Sequence, residues 1–394
     1  MSKKVFLSSL FAVAAGGTLA LYHLTELPFL WSFVLWAIVA VFAAIWTAST
    51  GIKTVLINLA VVFFTLGAYE GYLWGQQSND DLTSMQGDYI VDYFDGDDLL
   101  GYGPAKDKIS TAEKYHQDDL IYSVRYTINE DGLRASPPVK TSPAGCALFF
   151  GGSVTFGEGV DDEQTMPYQV GVLTGHGYQI YNFAFHGYGP HQMLAALERN
   201  RVDQIIDCLP THIVYQAIIP HVERAAGRAI WDKQGPRYIL KSGGGVELAG
   251  RFNDEDFNPL WKQLNGRWLT YDKLFGRLRA PSNEEIQLFV EIIDAARKLT
   301  EARYPGSEFH LLIWDNDGLV SHDRVMSAIK EADLRLHRIS TVLPGYRADK
   351  TSYELSLHDH HPAAATHAKI GRYVARHVLR YEPDTESGYS KNSK

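Results

Sequence analysis

Three long apolar runs fill the first 74 residues of this 394-residue chain and constrain its fold more than any other feature. The runs extend over roughly 5–24, 27–48 and 54–74, and charged residues are nearly absent from them. As a helix, each run is about long enough to cross the roughly 30 Å hydrocarbon core of a bilayer. A buried helical core is the alternative. Three successive runs with very short polar breaks favour three transmembrane helices within residues 1–75.

Lysines set the expected orientation of these helices. Lys3 and Lys4 precede the first run, and Lys53 lies between the second and the third. Positive charges stay in the cytoplasm, so the chain after the third run is expected on the outer face. A cleaved signal peptide in place of the first run leaves this orientation unchanged. The predicted location is the bacterial inner (cytoplasmic) membrane, multi-pass, with the remaining chain on the periplasmic side.

The part of the chain beyond the apolar runs has the composition of a soluble protein. The net charge of −9 and the lack of a basic stripe argue against a nucleic-acid partner. Only two cysteines occur, Cys146 and Cys208, which form either one disulfide or two buried free thiols. Free thiols are the favoured interpretation, because the sequence alone does not show proximity. No cofactor and no metal are predicted.

Residues 76–144 are interpreted as a linker and a small β-rich prelude. The segment 76–88 is polar, and "LIYSVRYTINEDGLR" (120–134) alternates like a strand before a turn at Asp131-Gly132. Strands and helices then alternate, which predicts an α/β domain over 145–384 with a parallel five-stranded sheet covered by helices. The five predicted strands are 146–152, 178–185, 212–219, 308–315 and 336–343.

An insertion over 225–281 interrupts this alternation. A hairpin around three glycines is predicted over 237–252, followed by a helical stretch near 257–264. The insertion either covers or shapes a site or is a structural elaboration. Ser282 and Glu285 then form a capping-box pattern that opens a helix to about Arg303. The polar end, 385–394, is expected to be disordered.

Four polar segments follow the carboxyl ends of predicted strands, the edge where open parallel sheets bind ligands. Ser153 is a candidate nucleophile there, or else part of an ordinary glycine-rich loop. Asp359 precedes His361 by two residues, so it can orient an imidazole that takes the serine proton. Alternatively, the cluster His358, His360 and His361 with Asp359 binds a metal or is a solvated loop. The joint order of the segments favours catalysis; they are "GGSVTFG" (151–157), "HGYGPHQ" (186–192), "PHVER" (220–224) and "LHDHHPAAATH" (357–367).

Over roughly residues 145–380 the chain resembles the SGNH (GDSL-type) hydrolase superfamily, as a membrane-anchored bacterial member. "FFGGSVTFGEGVDDEQTMPYQV" resembles the first block, with Gly-Gly-Ser replacing the commoner Gly-Asp-Ser. "NFAFHGYGPHQML" resembles the second block and "HDHHP" the terminal one. The resemblance implies a three-layer, flavodoxin-like α/β domain. It also implies Ser153 as nucleophile, His361 as base, Asp359 as its orienting partner, and an oxyanion hole of the Ser153 and Gly187 backbone N–H groups.

One departure from this resemblance concerns the oxyanion hole. The asparagine of the third block is matched by His221, in "IIPHVER". A neutral imidazole donates one N–H, so His221 is the third candidate oxyanion donor. Nearby, Arg224 binds either an acidic substrate group or a structural carboxylate, and the structural role is favoured.

The expected function is a membrane-anchored serine ester hydrolase. It would remove acyl groups, acetyl among them, from an acylated carbohydrate or lipid-like molecule of the extracytoplasmic envelope. One alternative is an O-acyltransferase acting on a polysaccharide with a partner protein of polysaccharide biosynthesis, because the acyl-enzyme is shared and only the acceptor differs. Another is a binding module whose missing asparagine marks lost catalysis.

Overall fold

A computed structural model describes residues 3–25, 28–80, 82–89, 94–229, 231–254, 268–275, 280–315 and 321–382. The chain divides into two compact units. The first comprises Met1–Leu82 and Asn258–Ala280, and the second comprises Thr83–Phe257 and Pro281–Lys394. The helical stretch predicted near 257–264 and the tail predicted over 385–394 lie outside the described residues.

The first unit is built from apolar helices: α1 (Lys3–Leu24), α2 (Pro28–Trp46), α3 (Thr50–Asp80) and the short helix Leu269–Phe275. Among the described residues, two stretches are long and apolar enough to cross a membrane, Phe29–Trp46 in α2 and Thr50–Gln76 in α3. In α1, the described apolar stretch is Ser8–Leu24. The prediction of three transmembrane helices within residues 1–75 stays a prediction.

A buried carboxylate joins the later part of the insertion to these helices. Glu70 of α3 is fully buried and accepts hydrogen bonds from the backbone N–H groups of Leu269 (2.6 Å) and Thr270 (2.8 Å). A negative charge at a helix N-terminus satisfies N–H groups that have no partner inside the helix. The described residues 268–275 therefore belong with the apolar helices of the first unit.

The second unit begins with a β-rich prelude of five strands: β1 (Thr83–Gln86), β2 (Phe94–Asp97), β3 (Gly101–Pro104), β4 (Lys108–His116) and β5 (Asp119–Ile128). β1, β4 and β5 form an antiparallel sheet, and β2 pairs with β3. The prediction of a polar linker over 76–88 is wrong in its secondary structure. α3 continues to Asp80, and 83–86 forms a strand because β4 satisfies its backbone hydrogen bonds despite its polar composition.

The predicted five-stranded parallel sheet is confirmed, with strand order β12-β11-β8-β6-β7. Successive residues of β6 face opposite layers, so Leu148 and Phe150 pack in one hydrophobic cluster and Ala147 and Phe149 in the other. The remaining strands of the unit are β6 (Gly145–Gly151), β7 (Tyr178–Asn182), β8 (Pro210–Ile218), β9 (Pro236–Leu240), β10 (Val246–Arg251), β11 (Glu308–Trp314), β12 (Arg335–Arg338), β13 (Glu354–Ser356) and β14 (Asp359–Pro362).

Helices flank this sheet, and the segment 191–205 differs from the prediction. One predicted helix over 191–205 is two, because Asn200 adopts a left-handed conformation with φ of 58° between them. The main helices are α4 (Ser153–Phe156), α5 (Met166–Leu173), α6 (Pro190–Glu198), α7 (Arg201–Ile205), α8 (His221–Ala225), α9 (Asn283–Arg303), α10 (His322–Glu331), α11 (Ile339–Val342) and α12 (Ala364–Tyr373).

The predicted fifth strand also ends early. β12 stops at Arg338, and 339–342 turns into α11, because the Asp315 carboxylate accepts a 2.8 Å hydrogen bond from the Ser340 backbone N–H. Arg338 Nε donates to the same carboxylate at 2.6 Å. The glycine hairpin, as β9 and β10, and the Ser282–Glu285 capping box are both confirmed.

The two cysteines are paired rather than free. Cys146 of β6 and Cys208, just before β8, form a disulfide with their Cα atoms 6.2 Å apart. The favoured expectation of free thiols is therefore wrong. The pairing depends on the adjacency of β6 and β8 in the sheet, which only the fold reveals.

Candidate active site

The structure brings together the three predicted catalytic side chains at the carboxyl end of β6. Ser153 begins α4 directly after that strand, and Asp359 and His361 lie on β14. His361 Nε2 is 2.9 Å from Ser153 Oγ. On the other side of the ring, His361 Nδ1–H donates to Asp359 Oδ1 at 2.7 Å. In this arrangement the imidazole can accept the serine proton at Nε2.

Two neighbours, the His361 ring and the Lys114 ammonium, keep Asp359 ionised. It is 3% exposed, and Lys114 Nζ of β4 donates to its second oxygen, Oδ2, at 2.8 Å. Burial alone would raise the pKa of Asp359, but the hydrogen bonds from His361 and Lys114 outweigh burial and lower it. Because an ionised carboxylate only accepts, His361 must carry its proton on Nδ1 and turn its Nε2 lone pair towards Ser153.

A second carboxylate, Glu158, lies on the same histidine. Its Oε2 is 3.4 Å from His361 Nε2 and accepts a 2.7 Å hydrogen bond from His186 Nδ1–H. Burial alone would raise the pKa of Glu158, but His361 and His186 outweigh burial and lower it to about 2. Burial likewise favours neutral His361, but Glu158 and Asp359 raise the pKa of this histidine overall. Both carboxylates therefore stabilise the imidazolium that forms when His361 takes a proton.

An arginine of the prelude fixes the loop that carries Glu158. Arg134 is 1% exposed, and it donates to the carbonyl oxygen of Val160 at 2.9 Å and to Asp162 Oδ1 at 2.7 Å. Its guanidinium also lies between two aromatic rings, with centroids at 4.4 and 4.5 Å. Roles for Lys114, Arg134 and Glu158 were not predicted from the sequence. The one local signal was the position of Glu158, five residues after the candidate nucleophile Ser153.

Gly187 lies in a loop beside the residue that precedes Ser153. Its φ of +72° is in the left-handed region, and a Cβ there would come within 2.5 Å of both Tyr102 Oη and Trp231 Nε1. The carbonyl oxygen of the next residue, Tyr188, is 3.1 Å from the position of a Cβ on Gly152. The predicted oxyanion segment is thus adjacent to the nucleophile loop, and glycine is required at 187.

His221 presents an unused N–H donor beside the same loop. It begins α8 after β8, is 1% exposed, and its Nδ1 lies 2.6 Å from Tyr215 Oη. Burial raises the pKa of Tyr215 well above its usual value and lowers the pKa of His221 well below its own. The protonated tyrosine can donate to Nδ1, and in that arrangement the neutral imidazole carries its proton on Nε2. That Nε2 has no hydrogen-bond partner among the described residues.

Gly152 makes the approach of His221 sterically possible. A Cβ on Gly152 would lie 3.2 Å from His221 Nε2 and 2.7 Å from Arg224 Nη1. An aspartate here, as in the commoner Gly-Asp-Ser sequence, would occupy the space of both side chains. The two departures from the resembled motifs, Gly152 and His221, are therefore sterically compatible with each other.

The histidines of 357–361 do not converge on a metal site. The His358 ring stacks on His116 with centroids 3.4 Å apart, and His360 Nδ1 lies 2.7 Å from a Glu354 oxygen. His361 alone turns to Ser153. Glu158, Asp359 and His361 do have ligand atoms within 4.8 Å of one another. Ser153 Oγ already contacts His361 Nε2 and Lys114 Nζ contacts Asp359 Oδ2, which suits proton transfer better than cation binding.

A cavity of about 530 Å³ lies against Ser153 and His361. This volume is typical of small-molecule sites in proteins. Its lining combines the catalytic candidates with aromatic and cationic side chains, including Arg224, Trp314, Tyr346 and Lys350. The site thus has room for a substrate group next to the serine hydroxyl.

A scan against protein-family models and a search of curated proteins find no match. Among solved structures, a protein assigned to the G-D-S-L lipolytic family from Desulfitobacterium hafniense DCB-2 is 13% identical, with a TM-score of 0.35, covering 59% of this chain and 98% of its own. An acetyl xylan esterase from the rumen bacterium Butyrivibrio proteoclasticus is 12% identical, with a TM-score of 0.34, covering 64% of this chain and 68% of its own.

A carbohydrate esterase family 2 enzyme with a carbohydrate-binding domain, from Corynascus thermopiles (Myceliophthora fergusii), is 13% identical with a TM-score of 0.32. The alignment covers 69% of this chain and 77% of that enzyme. At this degree of similarity, the chemistry of the site follows from its own geometry.

Proposed function

We propose that this chain is a membrane-anchored serine esterase that removes acyl groups from an extracytoplasmic glycan or another envelope molecule. The observation that carries the proposal is the continuous hydrogen-bonded series from Ser153 Oγ through His361 to Asp359. An aligned Ser-His-Asp series at the edge of a parallel sheet and against a cavity is suited to nucleophilic attack on an acyl group.

In the first half-reaction, Ser153 Oγ attacks the ester carbonyl carbon while His361 Nε2 takes the hydroxyl proton. The carbonyl electron pair moves to the oxygen, and the N–H groups of Ser153, Gly187 and His221 are the proposed donors to this oxyanion. The intermediate collapses, the bond to the leaving alcohol breaks, and His361 returns the proton to that alcohol. An acyl group is then bound to Ser153.

In the second half-reaction, water attacks the acyl carbon and gives its proton to His361. Collapse of the second tetrahedral intermediate breaks the bond to Ser153 Oγ, which recovers a proton from His361, and the carboxylic acid leaves. A sugar hydroxyl in the place of water would make the same site a transferase.

Two features support an extracytoplasmic membrane protein. α2 and α3 each contain a stretch long and apolar enough to cross a bilayer. The Cys146–Cys208 disulfide is a bond typical of oxidising compartments such as the periplasm. With the lysine pattern of the sequence, they favour a catalytic unit on the periplasmic side.

The test is the hydrolysis of 4-nitrophenyl acetate by the full chain in detergent micelles, with the Ser153→Ala variant as the comparison. Serine-dependent release of acetate supports the esterase, and transfer of acetyl to an added sugar alcohol at the expense of acetate would favour the transferase. A folded wild-type protein that does neither would contradict the proposal.

We expect His221→Ala to lower kcat for the acetyl ester by about 10²-fold, because loss of one oxyanion donor costs about that much. His221→Asn should keep much of the rate, since the asparagine amide again offers an N–H. Steady-state kinetics on the three proteins measures both effects. Equal kcat values for wild type and both variants would exclude His221 from the oxyanion hole.

The pH dependence of kcat/KM should report His361, which acts only when its Nε2 is unprotonated. Because Glu158 and Asp359 raise the pKa of His361, activity should fall on acidification through a midpoint above the usual 6.5. Glu158→Gln removes a negative charge 3.4 Å from Nε2 and should move that midpoint to lower pH. Glu163→Gln, at an exposed position of the same segment, is the control and should leave it in place. A midpoint that is identical in Glu158→Gln and wild type would contradict this assignment.

A further inference from the structure

Among the described residues, Arg224 forms no ion pair with a carboxylate, although the sequence favoured a structural ion pair for it. Its Nη1 donates to the carbonyl oxygen of Tyr188 at 2.8 Å, and its guanidinium lies 5.7 Å from the ring centroid of Trp231. Within the described part of the chain, no aspartate or glutamate forms an ion pair with it. A guanidinium has five N–H donors and remains charged, so most of its hydrogen-bonding capacity is unused by the protein.

Arg224 lies at the catalytic cavity. Arg224 lines it together with Ser153, and Arg224 Nη1 is 2.7 Å from the position of a Cβ on Gly152, the residue before the nucleophile. A group bound by Arg224 would therefore lie close to the ester that Ser153 attacks. Planar guanidinium groups are well suited to bind carboxylate and phosphate through two parallel hydrogen bonds.

Two cations that line the cavity, Arg224 and Lys350, have no ion-pair partner among the described residues. Lys114, the third, pairs with Asp359 at 2.8 Å. Glu354, also in the lining, lies 2.7 Å from His360 Nδ1, and Lys350 Nζ lies 5.8 Å from the Tyr346 ring centroid. The two cations can therefore attract a negatively charged substrate group to this cleft.

We infer that Arg224 binds an anionic group, carboxylate or phosphate, on the acylated substrate, so that the enzyme prefers esters of acidic sugars to those of neutral sugars. This inference rests on the proposed esterase function for its kinetic consequence, but the binding of the anion does not require turnover. It gives Arg224 a different role from His221, which is proposed to contact the oxyanion of every ester.

The test compares mono-O-acetylated methyl glucuronoside with mono-O-acetylated methyl glucoside as substrates of the full chain in detergent. The two differ in one carboxylate, and acetylated glucose 6-phosphate distinguishes phosphate from carboxylate. We expect kcat/KM to be about tenfold or more higher for an anionic ester, as charge-assisted hydrogen bonds of this kind contribute to that extent. Arg224→Gln should abolish the preference and Arg224→Lys should keep part of it. Arg372→Gln, at an exposed site of α12, should leave it unchanged.

Gly152 offers an independent variant if Arg224→Gln does not fold. Both Gly152→Asp and Gly152→Asn crowd Arg224 and His221, so both should lower kcat/KM for every ester. Gly152→Asp also places a carboxylate next to Arg224 Nη1 and should remove the preference for anionic esters, whereas the loss in Gly152→Asn should be similar for anionic and neutral esters. A wild-type enzyme that hydrolyses neutral and anionic esters equally well would overturn the inference. So would an undiminished preference in Arg224→Gln and Gly152→Asp. Equal losses on both esters in Arg224→Gln would instead indicate a contact with the oxyanion.

Binding to the Ser153→Ala variant separates this inference from the proposed function. Isothermal titration of that variant with the acetylated glucuronoside and the acetylated glucoside requires no catalysis. Tighter binding of the glucuronoside that is lost in Ser153→Ala/Arg224→Gln supports the anion site even if no ester is hydrolysed. Equal affinity for the two compounds would count against it.

Discussion

Replacing Ser153 by alanine should lower kcat for acetyl ester hydrolysis by at least about 10³-fold, because no other group can form the acyl-enzyme. The side chain of Ser153 is almost fully buried and makes its hydrogen bond to His361 Nε2 at 2.9 Å. Removal of one hydroxyl leaves the packing around α4 unchanged. The melting temperature should therefore stay within a few degrees of the wild-type value, while turnover is lost.

The design of this experiment depends on two comparisons. Ser327→Ala, at an exposed position of α10, should retain full activity and shows that serine removal as such is harmless. The double variant Ser153→Ala/His361→Ala should lose no more activity than Ser153→Ala alone, because the two groups act as a unit. Losses that multiply in the double variant would mean that His361 does not activate Ser153. Full activity in Ser153→Ala would refute the serine mechanism altogether.

The sheet was predictable because its signals are local. Most strands of the sheet are short apolar runs, such as Glu308–Trp314, and the helix that precedes this strand has its own start signal in the Ser282–Glu285 capping box. The same locality explains the errors at strand and helix ends. β12 ends where the Asp315 carboxylate, on another strand, accepts from Ser340, and no local pattern at 339–342 announces that contact.

The site was only partly predictable. Ser153, Asp359 and His361 form a recognisable pattern of residue types, and the parallel sheet brings the two segments together. Glu158 and Lys114 were not predicted, because their roles depend on a loop and a prelude strand that reach the same histidine and carboxylate in three dimensions. Gly152 was visible as a departure from Gly-Asp-Ser, but its relation to His221 and Arg224 required the fold.

Replacing Asp359 by asparagine should lower kcat by about 10⁴-fold, the loss expected when a catalytic histidine is held in the wrong tautomer. The carboxylate only accepts, so His361 now carries its proton on Nδ1 and presents a lone pair to Ser153. An asparagine amide can donate to Nδ1, which moves the proton to Nε2, and a protonated Nε2 cannot take the serine proton. Steady-state kinetics at a pH above the His361 midpoint measures the loss without interference from protonation of the ring.

The Lys114→Gln variant distinguishes this tautomer effect from a general loss of charge pairing. Lys114 contacts Asp359 Oδ2, and its charge lowers the pKa of His361. Removal of the Lys114 charge should raise the pKa of His361 and move the midpoint of the pH–rate profile upward. The hydrogen bond from His361 Nδ1–H to Asp359 Oδ1 and the plateau rate at high pH should largely be kept. Equal plateau rates for Asp359→Asn and Lys114→Gln would mean that Asp359 acts through its charge alone and not by setting the tautomer of His361.

Asp359 should also make the stability of the protein depend on pH. Its pKa is lowered in the folded protein, so it contributes stability above its unfolded pKa of about 4, and this contribution is lost as the pH falls. The melting temperature of Asp359→Asn should therefore decline less on acidification than that of wild type.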